Sequence, residues 1–220
     1  MNVSALRYER KYFVTDLSVE EVECVLKMNS FYFSEIFNQR FINNIYFDSP
    51  SLQCLDDNIL GVSNRFKVRV RWYGSLFGII RKPTLELKIK EGHLGKKHSL
   101  ALDEFKLEPG SSLKKQIPEL KTIYEKINFD LSVYKPSLIN RYQRKYFLSK
   151  DKKFRVTIDT NQIFSTVNKN TPIKKIKDKD SVILELKYEE NNDALSHQVS
   201  SGFPFRLTKS SKYVRGLSLL

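Results

Sequence analysis

Arg65-Phe66-Lys67-Val68-Arg69-Val70-Arg71-Trp72-Tyr73 is a stretch in which cationic and apolar side chains alternate strictly. Because successive side chains of a β-strand point to opposite faces, the alternation predicts a strand with four cations on one face. Neighbours on one face lie about 6.8 Å apart, and two cations at that distance repel by roughly 2.4 kcal/mol at an effective dielectric constant of about 20. Such a row is therefore expected to face either open water or a strongly negative ligand.

The composition points to a polyanionic partner. The 220 residues carry 38 lysines and arginines against 25 acidic residues, which gives a formal net charge of +13, and 40% of the residues are apolar. This much apolar material can build the core of one large domain, which we expect to span residues 1–220. The charge favours nucleic acid, an anionic membrane or a phosphate-rich small molecule as the partner.

Membrane-spanning and secreted classes of protein are not expected. The longest apolar stretches, residues 76–80 and 182–186, are far too short to cross a bilayer. Charged residues from Arg7 onward interrupt any apolar signal core. The two cysteines, Cys24 and Cys54, predict neither a disulfide framework nor a metal cluster. We expect a cytoplasmic protein without a transmembrane segment, and leave open a membrane-bound partner and the oligomeric state.

The hydrophobic pattern predicts many strands and few helices. Ser18-Val19-Glu20-Glu21 is a capping-box pattern that opens a helix running to Met28. The five lysines and the proline within residues 169–180 are typical of a solvated loop. Further helical segments are expected at residues 52–55, 112–127 and 193–200. Strands are expected at residues 7–15, 44–47, 65–73, 84–90, 99–105, 138–148, 154–158 and 182–188, with a strand-like segment at 205–213.

The separation of charged and apolar faces recurs in the predicted strands at residues 7–12, 85–90, 155–159 and 183–188. An ordinary β-sandwich would turn these charged faces outward to solvent. A closed antiparallel barrel would turn them inward and place the apolar faces under helices. Because the charges are mostly cations, we favour the barrel, whose dry interior would strengthen attraction for a multiply charged anion.

Eight short motifs follow one another along the chain, and the two most specific are Arg69-Val70-Arg71-Trp72-Tyr73-Gly74 and Thr208-Lys209-Ser210-Ser211-Lys212-Tyr213. In this order the set resembles the VTC-domain polyphosphate polymerases, part of the triphosphate tunnel metalloenzyme (CYTH-like) superfamily, over nearly the whole chain. The other motifs are Arg7-Tyr8-Glu9-Arg10-Lys11-Tyr12, Tyr46-Phe47-Asp48-Ser49-Pro50, Leu85-Glu86-Leu87-Lys88, Arg141-Tyr142-Gln143-Arg144-Lys145-Tyr146, Arg155-Val156-Thr157-Ile158-Asp159 and Leu184-Glu185-Leu186-Lys187.

The resemblance implies an α+β fold: a closed antiparallel eight-stranded β-barrel that forms a triphosphate tunnel, with flanking helices. It implies transfer of the terminal phosphate of ATP to growing inorganic polyphosphate, dependent on Mn²⁺ or Mg²⁺. By position, Glu185 would bind the metal ion, and Glu9, Glu86 and Asp159 would be further ligands or charge partners of the cations. The residues that would bind phosphate are Lys11, Arg69, Arg71, Lys88, Arg144, Arg155, Lys209 and Lys212, with Lys67, Lys90 and Lys97 as further candidates.

The residue types suit these roles. Phosphoryl transfer depends on positioning and on stabilising charge at phosphate oxygens, which arginine forks and lysine ammonium groups supply. Mg²⁺ and similar cations are commonly shared between one or two carboxylates and the substrate phosphates. Glu185 beside Lys187 suits such an anchor, and an internal ion pair without a metal is the alternative. The spacing after Gly95 leaves open whether Lys96 or Lys97 faces the interior.

The first predicted strand leaves the reaction open. Tunnel triphosphatases carry a Glu-x-Glu-x-Lys element, and here Arg7-Tyr8-Glu9-Arg10-Lys11 has a cation in place of the first acid. Loss of one metal-binding carboxylate favours transfer to a phosphate acceptor over activation of water. Because Glu9 remains, hydrolysis of tripolyphosphate or of a nucleoside triphosphate is an alternative, and a non-catalytic polyphosphate-binding module is another.

Other kinds of site have less support in the sequence. His93, His98 and His197 lack metal-ligand spacing with the cysteines. No predicted helix carries the basic stripe of a groove-reading protein, so sequence-specific binding of nucleic acid is not expected. Aromatic residues that would either stack an adenine or pack at the ends of the barrel are Trp72, Tyr73 and Tyr213.

Overall fold

A ring of eight antiparallel strands organises the chain. The computed structural model describes residues 2–3, 7–92, 94–109, 133–167 and 174–220. The strands are β1 (Asn2–Val3), β2 (Arg7–Val14), β3 (Ser34–Asp48), β4 (Asn64–Tyr73), β5 (Gly78–Ile80), β6 (Thr84–Glu91), β7 (Leu94–Ala101), β8 (Phe105–Leu107), β9 (Lys135–Leu148), β10 (Arg155–Ser165), β11 (Lys175–Asp178) and β12 (Val182–Glu189). The helices are α1 (Val19–Met28), α2 (Gln53–Leu60), α3 (Asp193–Ser201), preceded by a 3-10 turn (Glu190–Asn192), and α4 (Lys212–Leu219).

Hydrogen-bonded pairing goes round the ring in the order β7-β2-β12-β10-β9-β3-β4-β6 and returns from β6 to β7. Within the described residues, β2 meets β7 through the pair Arg7 and Gly95, with β1 extending the same edge. β11 pairs with β10 outside the ring, and β5 and β8 form a separate small sheet. The ring agrees with the antiparallel arrangement that the alternating charges predicted.

The apolar faces of the ring strands point away from its interior. On one side Val70 and Leu85 are buried in a cluster with Trp72. On the other side Leu184 packs under α1 and α3 in a cluster that includes Leu26. Fully burying such a side chain stabilises a protein by about 1.5–3 kcal/mol, so these faces determine which way each strand turns. The charged side chains of the same strands are thereby directed inward.

Asp48, the last residue of β3, anchors two helices. Its carboxylate accepts the backbone N–H of Cys54 in α2 at 2.8 Å and the hydroxyl of Tyr213 in α4 at 2.5 Å. Gly216 allows α4 to approach β10 closely, because a Cβ at that position would lie 2.5 Å from the ring of Phe164. The first residues of α4 are therefore held against the interior of the ring.

The capping box of α1 is confirmed: the Ser18 hydroxyl accepts the N–H of Glu21, whose carboxylate accepts the N–H of Ser18. The helical turn expected at 52–55 is the longer α2, and the helix at 193–200 is α3. The helix expected at 112–127 lies outside the described residues. None of the helices within them is long and apolar enough to span a lipid bilayer.

Several strand boundaries differ from the prediction; β10, for example, continues to Ser165 beyond the expected end at residue 158. β3 begins at Ser34 instead of residue 44, because residues 34–41 are mostly exposed and polar and therefore lack a buried face that the pattern would show. The segment 99–105 is divided between β7 and β8. Within the expected loop 169–180, residues 175–178 form β11, because Lys175-Ile176-Lys177-Asp178 alternates and pairs with the end of β10.

The strand-like segment expected at 205–213 is wrong at its end. Only Leu207 makes a β-bridge, to Tyr12, within that segment. Ser211 caps a helix instead: its hydroxyl accepts the N–H of Val214 at 3.4 Å, and α4 begins at Lys212. The helix places Lys212 over the interior of the ring, where a strand would have carried it along the edge.

Candidate active site

The inner face of the ring surrounds a cavity of about 80 Å³. A cavity of that size has room for several water molecules. Every ring strand except β7 and β10 contributes a lining side chain, and Lys212 of α4 and its capping residue Ser211 contribute two more. The lining residues are Lys11, Tyr46, Lys67, Arg69, Arg71, Lys88, Tyr142, Arg144, Glu185, Lys187, Ser211 and Lys212.

Cations outnumber acids inside the ring. Eight of the lining side chains are lysine or arginine. Among the described residues, four carboxylates pair with them: Glu9, Glu86, Asp159 and Glu185. The formal charge of this set is therefore strongly positive, and a multiply charged anion is the ligand that it favours.

Glu86 on β6 organises the first group of cations. Its Oε2 lies 2.7 Å from Nε and 2.6 Å from Nη2 of Arg69, while Arg71 approaches to 3.7 Å. Lys97 donates to Oε1 at 2.9 Å. Burial would raise the pKa of Glu86, but these three cations hold it well below its usual value. Lys97 is the cross-strand partner of Lys88, so Lys97 lies on the inner face.

Asp159 on β10 organises the second group. Arg144 spans its carboxylate with Nε at 2.5 Å from Oδ1 and Nη2 at 2.6 Å from Oδ2, and Lys212 donates to Oδ2 at 2.5 Å. Asp159 is fully buried, and the two cations outweigh the effect of burial and lower its pKa. The same Arg144 reaches Glu185 at 3.6 Å, which links this group to β12.

Glu9 and Glu185 form an acidic pair on neighbouring strands. Lys88 contacts both oxygens of Glu9 at 2.7 Å, and Lys187 contacts Glu185 at 2.9 Å and Glu9 at 3.7 Å. Burial and the charge of Glu185 would raise the pKa of Glu9, but Lys88, Lys187 and Lys11 lower it to about 2. Both acids are therefore ionised at neutral pH and repel each other.

The acidic pair fits a divalent cation that shares its coordination with a substrate. Two nearby carboxylates supply hard oxygen ligands, and a dication between them would relieve their repulsion. Among the residues that the structure describes, no three His, Cys, Asp or Glu side chains are placed to hold a metal ion by themselves. The remaining ligands would therefore be substrate oxygens and water.

Lys67 differs from the other lining cations. Its ammonium donates to the Ser211 hydroxyl at 2.7 Å, and no carboxylate of the described residues lies within ion-pair distance of it. Burial, together with Lys11, Lys88 and other cations, holds the pKa of Lys67 well below its usual value. An anionic ligand would relieve this unfavourable position.

Four predicted phosphate-binding residues lie outside the cavity lining, and one of them is Lys97, which pairs with Glu86 on the inner face. Arg155 and Lys209 are exposed, the first at the start of β10 and the second before α4. Lys90 pairs across the sheet with Arg65. Burial and Arg65 lower the pKa of Lys90, and Lys209 adds to this effect. Arg65, Lys90 and Lys209 therefore form a basic group at one end of the ring, which we call the basic mouth.

The lining includes residues that the sequence analysis did not propose as ligands of phosphate or metal. Lys187 lies two residues after Glu185 on the same strand face, and that spacing was the available signal. Tyr142 orients cations: its hydroxyl accepts Nη2 of Arg71 at 3.2 Å, and Nζ of Lys212 lies 4.7 Å from its ring centroid. Tyr46 and Ser211 had no signal beyond their positions within motifs.

Two of the three aromatic candidates for base stacking are structural. Trp72 is 1% exposed and donates its indole N–H to the carbonyl of Ser75, and Tyr213 is buried against Asp48. Packing therefore explains both rings. Tyr73 is 51% exposed.

The fold resembles that of two bacterial proteins described as "putative adenylate cyclase". The structure from Bacillus halodurans is 14% identical with a TM-score of 0.59, and the alignment covers 98% of each chain. The structure from Vibrio parahaemolyticus is 13% identical with a TM-score of 0.53, over 97% of this chain and 98% of the other. No curated protein matches the chain significantly.

The model of the VTC domain family matches residues 6–220. That match contains all the strands of the ring and every residue that lines the cavity. The chain therefore belongs to the VTC domain family.

Proposed function

We propose that this protein transfers the terminal phosphate of ATP to inorganic polyphosphate inside the basic cavity, with a divalent cation. The observation that carries the proposal is the excess of cations enclosed by the ring, with Lys67 buried and lacking a carboxylate partner among the described residues. An enclosed set of this kind is costly in the empty protein. A chain of phosphates would supply several negative charges along the interior and offset that cost.

The arginines are held ready for phosphate oxygens. Glu86 fixes the fork of Arg69, and Asp159 fixes that of Arg144, so their guanidinium planes are oriented before a ligand arrives. Phosphoryl transfer needs such positioning and charge stabilisation more than covalent help from the protein. In the reaction, an oxygen of the acceptor's terminal phosphate bonds to the γ-phosphorus, and the bond from that phosphorus to the β,γ-bridging oxygen breaks, releasing ADP.

Glu185, together with Glu9, would hold the Mn²⁺ or Mg²⁺ ion. Such an ion neutralises charge on the oxygens that it shares with the substrate. Lys88 and Lys187, which now pair with these acids, would be free to turn toward phosphate oxygens. Lys11 faces Glu185 as its cross-strand partner and adds a further charge at the same level.

Hydrolysis is the second candidate, and the position of Glu9 favours it. Its carboxylate reaches the interior beside Glu185, where it would orient a water molecule as an acceptor. Arg7, in the place of the first acid of the triphosphatase element, is exposed at the start of β2. Because this strand brings a single inward carboxylate, we favour a phosphate acceptor over water.

The products distinguish the candidates. Purified protein is incubated with ATP and Mn²⁺, with and without a short polyphosphate primer, and the products are separated by chain length. We expect chains longer than three phosphates together with ADP. Orthophosphate alone would instead identify a hydrolase. Neither product, combined with retained binding of tripolyphosphate, would identify a binding module. A Lys67→Met variant, which removes one cation from the cavity lining, is assayed in parallel as a control for the role of the cavity.

A further inference from the structure

One end of the ring carries aromatic rings gathered around an arginine. Phe37, Arg40, Tyr73 and Tyr146 form this group, which we call the aromatic mouth. Cζ of Arg40 lies 4.8 Å from the centroid of Phe37 and 5.8 Å from those of Tyr73 and Tyr146. Phe37 meets Tyr146 edge to face at 5.7 Å. Phe37 and Tyr73 are 48% and 51% exposed.

The arginine of this group is not engaged by an acid. Within the described residues, Arg40 forms no ion pair with a carboxylate, and its side chain is oriented by the surrounding rings. Burial raises the pKa of Tyr146, and the neighbouring Tyr73 adds to this effect. The cluster therefore presents a flat cationic group and exposed ring faces in a defined arrangement.

The aromatic mouth is continuous with the cavity. Tyr73 follows Arg71 by two residues on the same face of β4, and Tyr146 follows Arg144 in the same way on β9. Arg40 is the cross-strand partner of Arg144. Two residues along a strand correspond to about 6.6 Å, so the stacking surface begins one side chain beyond the cavity arginines.

The opposite end of β4 has a different chemistry. Its inner face carries Arg65 and then Lys67, next to the Lys90 and Lys209 of the basic mouth. The nine residues from Arg65 to Tyr73 span about 26 Å along the strand. The two ends therefore differ: one offers stacking surfaces and the other offers charge.

We propose that the aromatic mouth binds the base of the nucleoside triphosphate, and that the inorganic phosphate chain occupies the basic mouth. This inference rests on the proposed function and assigns a direction to the cavity. Bases stack on tyrosine rings and on guanidinium planes, whereas an inorganic chain has no ring to stack. The triphosphate of a nucleotide so placed would reach inward past Arg71 and Arg144, and its terminal phosphate would meet the acceptor near Lys88.

The test compares ATP with tripolyphosphate, because the two share phosphates and differ by the nucleoside. Dissociation constants are measured by calorimetry for the parent protein and for Tyr73→Ala and Arg40→Lys. Arg40→Lys keeps the positive charge but removes the planar guanidinium group on which a base would stack. We expect both variants to bind ATP about tenfold more weakly, since a base stacked on a protein ring contributes 1–3 kcal/mol. We expect their affinity for tripolyphosphate to stay within about twofold.

The chain offers a matched control. Arg141 lies 4.0 Å over the ring of Phe41, the same kind of contact on the other face of the same two strands. Phe41→Ala should leave the affinities for both ligands unchanged. Arg65→Ala at the basic mouth should weaken binding of long polyphosphate more than binding of ATP.

The possible failures are distinguishable. If Tyr73→Ala and Arg40→Lys weaken the binding of ATP and of tripolyphosphate equally, or weaken neither, the aromatic mouth does not bind the base. Such a result would leave the proposal of a phosphate-binding cavity unaffected. A parent protein that binds neither ligand would overturn the proposed function itself. Melting temperatures of all variants establish that each is folded before its affinities are compared.

Discussion

Lys88 and Glu9, on two strands that do not pair with each other, meet inside the ring with the ammonium nitrogen 2.7 Å from both carboxylate oxygens. Burial, opposed by Glu9 and reinforced by Lys11, lowers the pKa of Lys88 to about 8. The cavity therefore contains a cation that titrates near physiological pH and a carboxylate that stays ionised. The affinity for anions should depend on the first of these.

We expect the affinity for tripolyphosphate to fall as the pH rises from 7 to 10. Lys88 loses its proton through this range, because its pKa lies near 8. Removing one nearby charge should weaken binding by about tenfold. Calorimetry at constant ionic strength measures the effect. In Lys88→Arg the profile should be flatter; an unchanged slope would exclude Lys88 as its source.

The same pKa values set a dependence of stability on pH. The folded-state pKa of Lys88 is about 8 and its ordinary value is 10.5, so the unfolded chain binds more protons between them. The contribution of Lys88 to the free energy of unfolding therefore rises with pH across that window. Glu9 affects stability at acidic pH. Its contribution to the free energy of unfolding is complete above pH 4.5 and is lost as the pH falls through about 2.

Lys67→Met should stabilise the empty protein and weaken its binding of anions. The substitution removes a buried cation that has no carboxylate partner among the described residues. A gain of about 1 kcal/mol would raise the melting temperature by 2–4 °C in a domain of this size. Tripolyphosphate should then raise the melting temperature less than in the parent. Lys88→Met is the matched control and should destabilise, because it leaves Glu9 with more distant partners.

Asp159→Asn should destabilise the fold and be partly rescued by a polyanion. The substitution leaves Arg144 and Lys212 buried without the acid that spans them. Breaking a buried pair in this way costs about 3–5 kcal/mol, which corresponds to a loss of roughly 10 °C. Added tripolyphosphate should recover part of that loss by restoring negative charge. Glu108→Gln, which alters an exposed pair with Lys106, should change little.

Glu185→Gln should lower activity through the affinity for metal. The half-saturating Mn²⁺ concentration should rise by at least about tenfold, with kcat largely recovered at saturation. Glu86→Gln is the comparison, because Glu86 holds Arg69 and lies apart from the acidic pair. Recovery by Mn²⁺ in both variants, or in neither, would contradict a metal role for Glu185 and favour an internal ion pair with Lys187.

Alternation in the sequence was sufficient to predict which faces of β4, β6 and β12 turn inward, because each strand has one apolar face that must be buried. Alternation did not predict that β3 begins at Ser34 or that a helix begins at Lys212. Residues 34–41 of β3 have no buried face and are held by pairing with β9, which is a long-range contact. The helix at Lys212 depends on a serine cap and on the distant Asp48, and no local pattern contains both.

In the predicted site, too, some features follow from local sequence and others depend on contacts between distant parts of the chain. Residues such as Arg69 and Lys88 follow from strand position, and the structure brings them to the cavity. The spacing after Gly95 left two lysines equivalent, and the pairing of Lys97 with Lys88 separated them. The ion pairs inside the ring depend on the register between strands that are far apart in the chain. The sequence therefore does not show which carboxylate pairs with each cation, or that Lys67 lacks a carboxylate partner among the described residues.

Because Asp48 anchors α4, the position of this helix is coupled to the binding of any anion in the cavity. Tyr213 is held by that carboxylate, and the adjacent Lys212 completes the cavity. A polyanion that binds Lys212 therefore stabilises the docked position of α4. By reciprocity, undocking of α4 weakens the binding of the polyanion by the same free energy. Binding of an anion in the cavity and docking of α4 are therefore parts of one equilibrium.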